Sequence, residues 1–332
     1  MTPLLSVRDL KVRYPVRGAL AAALTGESTH VEAVAGVSFS VARGETMALV
    51  GESGSGKTTV ARTIAGLVKA HAGSVVCEGE ERTGRGAAAL KTVRRQMAII
   101  FQDPVGSLSP RLRVGSILAE PFRVHGLEIT PAKIDRLLDL VGLPKEIAGR
   151  YPHQLSGGQA RRINVARAIA LEPKLLIADE PTAGLDVSVQ GEILNLLNEL
   201  RERLGISMLI ITHNLHVVRH IAGRMAIMYL GRIVESGPTL RLFAAPHHPY
   251  TAALLSASPR PDPDALPQRL EIAGEIPSLF RRPSGCEFHT RCPFAQEKCR
   301  FEPPALSVLA SGELFTCHFP LNAGRGDGPA RR

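Results

Sequence analysis

The stretch Gly51-Glu52-Ser53-Gly54-Ser55-Gly56-Lys57-Thr58 constrains this chain more than any other, because it fits the pattern G-x-x-x-x-G-K-[ST] in full. The apolar run Met47–Val50 precedes it. Thr59 and a segment with helical periodicity, Val60-Ala61-Arg62-Thr63-Ile64, follow it. A buried strand, a glycine-rich turn and a helix in that order make a seat for an anion. Glycines let the backbone curl with its N–H groups turned inward, and the helix adds the positive end of its dipole. The backbone from Gly51 through Gly56 is expected to cradle phosphates, with Lys57 reaching the outer ones and Thr58 ligating Mg²⁺. A glycine turn with no ligand is the plain alternative, and the strand–turn–helix setting argues against it.

A second apolar run, Leu175-Leu176-Ile177-Ala178, ends in Asp179-Glu180-Pro181. Neither carboxylate is stable beside so much aliphatic surface without a cation or a donor. Strand side chains alternate, so the two acids point apart. Asp179 is expected to complete the Mg²⁺ shell beside the phosphate loop, and Glu180 to polarise a water aimed at the γ-phosphate.

The remaining pattern places these motifs in an α/β fold. Val7 to Tyr14 alternates as a strand, residues 16–30 read as an insertion, and 31–44 as a further strand or pair. Helical periodicity runs through about 103–160, a helical subdomain, and again over 158–171 and 188–204. "KLLIAD" and "SMLIIT" are strands, and "MAIMYLGRIVESG" is a hairpin. Strands alternating with helices imply a largely parallel sheet in a P-loop core, joined by a smaller antiparallel β part. Aromatic residues make up only 4% of the chain and Trp is absent, so the core is aliphatic. Composition shifts near residue 258. The expected domains are a nucleotide-binding unit over 5–257, a Pro-rich linker over 258–284, a cysteine-bearing module over 285–320 and a disordered tail over 321–332.

A formal net charge of +9 suits polyanions, though a solvated basic surface accounts for it equally. No run approaches the roughly 20 apolar residues of a membrane span. The opening "MTPLLSVRDLKVRYP" lacks the order of a signal peptide. The protein is therefore expected in the cytosol, reaching a membrane by docking on another subunit.

Four of the 5 cysteines fall together, as Cys286, Cys292, Cys299 and Cys317, with spacing C-x5-C-x6-C-x17-C. In a cytosolic chain such clustering favours metal over disulfides. A [4Fe–4S] cluster, Zn²⁺ and no metal at all remain open from spacing alone. Zinc sites usually carry tighter C-x2-4-C knuckles, and in the zinc case His289 and His318 are substitute ligands. Cys77, in "SVVCEG", reads as a small core residue.

Residues 155–159, Leu155-Ser156-Gly157-Gly158-Gln159, open a basic helical segment and form a second anion seat. One γ-phosphate has no use for two such seats in one chain, so the second is expected to serve a nucleotide held by another subunit. With this feature the chain resembles the ABC transporter ATPases, whose motifs match in order and spacing over about residues 5–245. The resemblance implies ATP as the nucleotide, and two ATPase subunits that sandwich two ATP molecules head to tail. Ser156, Gly157, Gly158 and Gln159 would then face the partner's nucleotide. It also implies roles for Gln102 of "IIFQDP" in sensing Mg²⁺ and water, and for His213 of "IITHN" at the γ-phosphate. Asp186 of "AGLD" would couple the two sites, and Tyr14 of "VRYPV" would stack on adenine.

A narrower resemblance spans nearly the whole chain. "FQDPVGSLSPRLRVGSILAEP", "RYPHQLSGGQ", "HPYTAALLSASP" and "PSGCEFHTRCPFA" are similar to the dipeptide/oligopeptide importer subfamily, which includes nickel importers. "VRYPV" with its insertion, and "AGEIPS", resemble the second of that system's two ATPase subunits. The resemblance implies a non-identical ATPase partner, two transmembrane permease subunits and an extracytoplasmic peptide-binding protein, with this subunit on the cytoplasmic face of the inner membrane. It implies a cluster-binding C-terminal region as well. Ala160 and Asn214 depart from the usual subfamily residues at their positions. A soluble ABC ATPase acting on nucleic acid would carry a coiled-coil insertion or a second cassette, and this chain has neither. A regulatory module without turnover is argued against by the intact Glu180 and His213.

Overall fold

The computed structural model describes residues 2–15, 29–84, 95–101, 103, 106–258 and 270–322. The insertion expected at 16–30, Gln102, residues 259–269 of the proline-rich linker and the last ten residues lie outside the described residues, apart from 29 and 30 of the insertion.

The described strands form two sheets. The smaller is antiparallel and holds β1 (Leu5–Pro15), β2 (His30–Val41), β4 (Ala72–Cys77) and the two-residue β5 (Glu80–Glu81). The larger contains β3 (Thr46–Val50), β6 (Met97–Ile100), β7 (Leu175–Asp179), β8 (Ser207–Thr212), β9 (Arg224–Tyr229) and β10 (Arg232–Pro238). Its core is parallel, in the order β9-β3-β8-β7-β6. The expected hairpin appears as β9–β10, paired antiparallel.

These strands are near-continuous apolar runs because both faces of the sheet are covered. Alternation then sends successive residues to two different cores. Ala48 and Val50 of β3, Leu176 and Ala178 of β7, and Met208 and Ile210 of β8 join the helical side. Met47 and Leu49, Leu175 and Ile177, and Leu209 and Ile211 join the side closed by the antiparallel sheet and by helix α1 (Lys57–Ile64). Burying each Val, Leu, Ile or Met among them is worth about 1.5–3 kcal/mol.

The helical part contains α2 (Val114–Val124), α3 (Pro131–Leu140) and α4 (Gly157–Ile169), packed on one another. Helix α5 (Val187–Leu204) begins at an Asp186 cap. It ends at Gly205, whose φ of 65° is the left-handed conformation glycine adopts without penalty. Three further helices follow, α6 (Leu215–Ile221), α7 (Thr239–Ala244) and α8 (Pro249–Ala257).

The C-terminal segment does not stand apart from the core. After α9 (Glu297–Phe301) come β11 (Leu306–Val308) and β12 (Leu314–Thr316), and β12 pairs with β10, adding two strands to the larger sheet. Phe288 is 1% exposed and packs edge-on against Tyr229, with ring centres 5.3 Å apart.

Candidate functional site

The phosphate loop lies between the end of β3 and the start of α1, as its sequence requires. Gly56 caps α1 at φ 100°, and a Cβ there would stand 2.4 Å from the Ala33 carbonyl oxygen. At Gly51 a Cβ would come within 2.2 Å of the Met228 carbonyl oxygen. Both positions therefore exclude any side chain, which explains the glycines at the two ends of the motif. Lys57 is 7% exposed. Its Nζ donates to the Gly51 and Glu52 carbonyls, both at 2.8 Å, and to Ser55 Oγ at 3.3 Å. Burial lowers the Lys57 pKa, opposed by the charges of Glu180, Asp179 and Glu52.

The two acids ending β7 take different partners. Thr58 Oγ1 donates to Asp179 Oδ1 at 3.3 Å. Burial pushes the Asp179 carboxyl up, while that hydrogen bond pulls it down and Glu180 pushes it up further. Such a carboxylate gains from a cation, and a hydroxyl beside a carboxylate is the hard oxygen set that Mg²⁺ prefers. Glu180 sits at φ 50°. Its Oε2 accepts from Thr212 Oγ1 at 3.1 Å, and its Oε1 from His213 N at 3.1 Å and from His213 Nδ1 at 2.6 Å. Since a carboxylate only accepts, the Nδ1 carries the proton. A cleft of about 670 Å³ brings Gly51–Gly54, Gly56, Lys57, Thr58, Thr59, Asp179, Glu180 and His213 together, floored by Val50 and flanked by Ala33, Leu254 and Ile276. Leu254 of "HPYTAALLSASP" and Ile276 of "AGEIPS" lie in motifs that the sequence ties to the subfamily but not to the nucleotide, so their place in the cleft is new.

Tyr14 borders this region: it is 38% exposed, and its hydroxyl donates to Thr59 Oγ1 at 3.5 Å. Among the described residues, none of 155–159 lines the cleft. Ser156 caps α4 instead: Gln159 N donates to Ser156 Oγ at 3.2 Å and Ser156 N to Gln159 Oε1 at 3.1 Å. Asp186 accepts from Val189 N at 2.9 Å and from Ser188 Oγ at 2.6 Å, and these bonds, against a little burial, hold its carboxyl below the usual range.

All five cysteines are free thiols. Cys286, Cys292, Cys299 and Cys317 line one small pocket with Phe288, His248, His289 and His318. Among the described residues, no three His, Cys, Asp or Glu side chains stand at metal-holding geometry. Burial pushes the Cys292 thiol up to about 11, and the neighbouring cysteines add to the rise while a backbone bond opposes it. Cys317 rises to about 12 by burial, with the same neighbours contributing. Cys77, at the end of β4 opposite Leu5 of β1, is fully buried, the core role expected of it. No helix among the described residues is long and apolar enough to cross a membrane.

Comparison with known proteins agrees with this geometry. A family model for ABC transporters matches residues 34–183, and one for the oligopeptide/dipeptide transporter C-terminal region matches residues 234–299. A Brucella ovis protein named as a peptide import ATP-binding protein is 45% identical over 95% of this chain and 98% of its own. A Sinorhizobium fredii protein named as a peptide ABC transporter ATP-binding protein is 46% identical over 95% of this chain and 89% of its own. Among solved structures, CbiO1 of Clostridium perfringens, part of the transporter complex CbiONQ, is 28% identical with a TM-score of 0.62, covering 74% of this chain and 92% of that one. The ATP-binding cassette MJ0796, solved with ADP and phosphate, is 24% identical, also at 0.62, covering 71% of this chain and 98% of its own.

Proposed function

This chain belongs to the ABC transporter family, in its oligopeptide/dipeptide branch, and from that premise we propose that it hydrolyses ATP to drive uptake of di- or oligopeptides. The observation that carries the chemistry is the gathering of Lys57, Thr58, Asp179 and Glu180 in one cleft. The cargo class is supported by the match of residues 234–299 and by the relatives' names.

Each residue then has a task. The loop N–H groups and the α1 N-terminus receive the phosphates, and Lys57 exchanges its carbonyl partners for phosphate oxygens. Thr58 and Asp179 would hold Mg²⁺, which supplies charge neutralisation at the phosphates. Glu180, steadied by Thr212 and His213, accepts the proton of the attacking water, while His213 approaches the γ-phosphate. Tyr14 covers the adenine. Gln102, which lies outside the described residues, would report the state of the site to the membrane subunits.

Two chains would complete two sites. Ser156, Gly157, Gly158 and Gln159 stand at a helix N-terminus away from the cleft, which supports a role toward a partner's nucleotide, with Asp186 coupling the sites. That partner is proposed as a non-identical ATPase. Both would dock on two permease subunits at the cytoplasmic face of the inner membrane, fed by an extracytoplasmic peptide-binding protein.

The four thiols lining one pocket are the soft sulfur donors that an iron–sulfur cluster or zinc takes, and a bound cation would favour their ionised form. Cys286, Cys292, Cys299 and Cys317 would hold a [4Fe–4S] cluster or Zn²⁺, and either would cross-link the C-terminal segment. The function is tested by reconstituting the chain with the neighbouring ATPase and permeases in proteoliposomes. Uptake of labelled di- or oligopeptides that stops without ATP is expected. Nickel uptake without peptide uptake overturns the cargo, and ATP-independent uptake overturns the coupling.

A further inference from the structure

The cysteine-bearing segment reaches the phosphate loop through one side chain. Arg291, next to Cys292, donates from Nη1 to Glu52 Oε2 at 2.7 Å and from Nη2 to Glu52 Oε1 at 3.1 Å. This is a bidentate pair, spanning 239 residues of chain. Arg291 is 7% exposed, and its guanidinium lies 5.8 Å from the centre of the Tyr229 ring. The turn that carries it is closed by Arg291 N donating to the Phe288 carbonyl at 3.0 Å and by His289 N donating to the Cys286 carbonyl at 2.9 Å. The backbone of Glu52 is held from the same side, its N–H donating to the Tyr250 hydroxyl at 3.0 Å.

Glu52 occupies an awkward place for an acid. It lies inside a loop built to attract anions and lines the cleft itself. A carboxylate turned toward the phosphates would repel them, or compete with them for Lys57. Both its oxygens are instead taken by a buried, fixed guanidinium that no other acid claims among the described ion pairs.

We propose that Arg291 is a positioning residue of the nucleotide site: by holding both oxygens of Glu52, it keeps that carboxylate away from Lys57 and from the phosphates. The C-terminal segment is then part of the ATP site in the same chain. This proposal rests on the loop being the seat of a triphosphate.

The test measures MgATP affinity of the full-length chain by calorimetry, with thermal melting of each variant. Arg291→Ala is expected to raise the Kd roughly tenfold by freeing the carboxylate. The effect should appear in KM with kcat little changed, because Glu180 is untouched. Arg291→Lys keeps a charge without the fork and should recover part of the affinity. The decisive variant is Glu52→Gln combined with Arg291→Ala, which should bind within about twofold of Glu52→Gln alone, since no carboxylate remains to be restrained. An equal loss in both backgrounds would mean that Arg291 only fills space, and would overturn the proposal. So would wild-type affinity in Arg291→Ala. If Arg291→Ala does not fold, Arg291→Lys decides: weakened binding at an unchanged melting temperature supports the proposal, and unchanged binding overturns it. A wild-type chain that binds no MgATP would instead remove the triphosphate seat itself.

Discussion

Glu180 and His213, separated by 33 residues, are joined twice: the same carboxylate oxygen accepts from the histidine backbone N–H at 3.1 Å and from its Nδ1 at 2.6 Å. Thr212 holds the other oxygen at 3.1 Å. The pairing follows from the sheet, because β7 and β8 are adjacent and parallel, so their C-terminal ends meet. An acid fixed this way keeps its acceptor oxygens aimed along one direction. Glu180→Gln preserves the shape and removes the base. ATP hydrolysis is expected to fall about 10²–10⁴-fold while MgATP still binds. Hydrolysis at the wild-type rate, in a phosphate-release assay, would remove Glu180 from the mechanism.

Lys57 donates to two loop carbonyls and to Ser55 Oγ, so it organises the loop as well as charging it. Lys57→Ala is expected to weaken MgATP binding by about 10–100-fold, the range for a charge-assisted hydrogen bond. Lys57→Arg should not rescue it, since a planar fork does not fit a hollow that leaves Lys57 7% exposed. Calorimetric titration of both variants checks this.

The parts of the site legible in sequence are those coded by short-range geometry. The loop glycines, Ser156 at its cap and the acids ending β7 each depend on neighbours within a few residues, so spacing alone reveals them. The partnership of Thr58 with Asp179 was legible only because the motifs are known to converge; they lie 121 positions apart. Arg291 with Glu52 was not legible, because nothing local in either segment refers to the other. The same holds for β12 on β10: two short half-exposed strands carry little periodicity, and their pairing is decided by an open sheet edge. The cysteine-bearing module was legible from composition, but its pairing onto β10 was not.

The cysteine pocket leads to a compositional test. Protein purified without oxygen is expected to carry about four iron atoms and matching acid-labile sulfide per chain, with a broad visible absorption. Cys292→Ser should remove most of both, and lower the melting temperature through loss of the cross-link. Stoichiometric zinc without sulfide would assign the alternative metal. Four freely titrating thiols and no metal would end both.

A pH dependence is set far from the nucleotide, at the edge of the antiparallel sheet. Burial alone would raise the Glu81 pKa, but hydrogen bonds from Ser74, Thr83 and the Val75 N–H outweigh it and bring it down from 4.5 to about 2. A depressed carboxyl stabilises the fold above its unfolded value, and the contribution disappears as pH falls from about 4.5 to 2. Glu81→Gln is therefore expected to cost roughly 1–3 kcal/mol at neutral pH and almost nothing near pH 2. Denaturant melts of both proteins at pH 7 and at pH 3 measure the convergence; a constant difference would contradict it.

The last expectation separates folding from pairing at Gly157, the first residue of α4. A Cβ built there meets nothing within 4 Å, unlike Gly56, where one would strike the Ala33 carbonyl. Gly157→Asp thus introduces no clash, and an acid in the first turn of a helix suits its dipole by a few tenths of a kcal/mol. The same carboxylate would stand where a partner's γ-phosphate is expected, and two anions in a desolvated interface repel strongly. In a Glu180→Gln background, which retains ATP, the chain with its ATPase partner is expected to form a closed dimer by light scattering. Adding Gly157→Asp should leave melting temperature and MgATP affinity unchanged and abolish the ATP-dependent dimer contact at that site. A dimer that forms equally well with Asp at 157 would show that this helix end does not face the nucleotide of a partner.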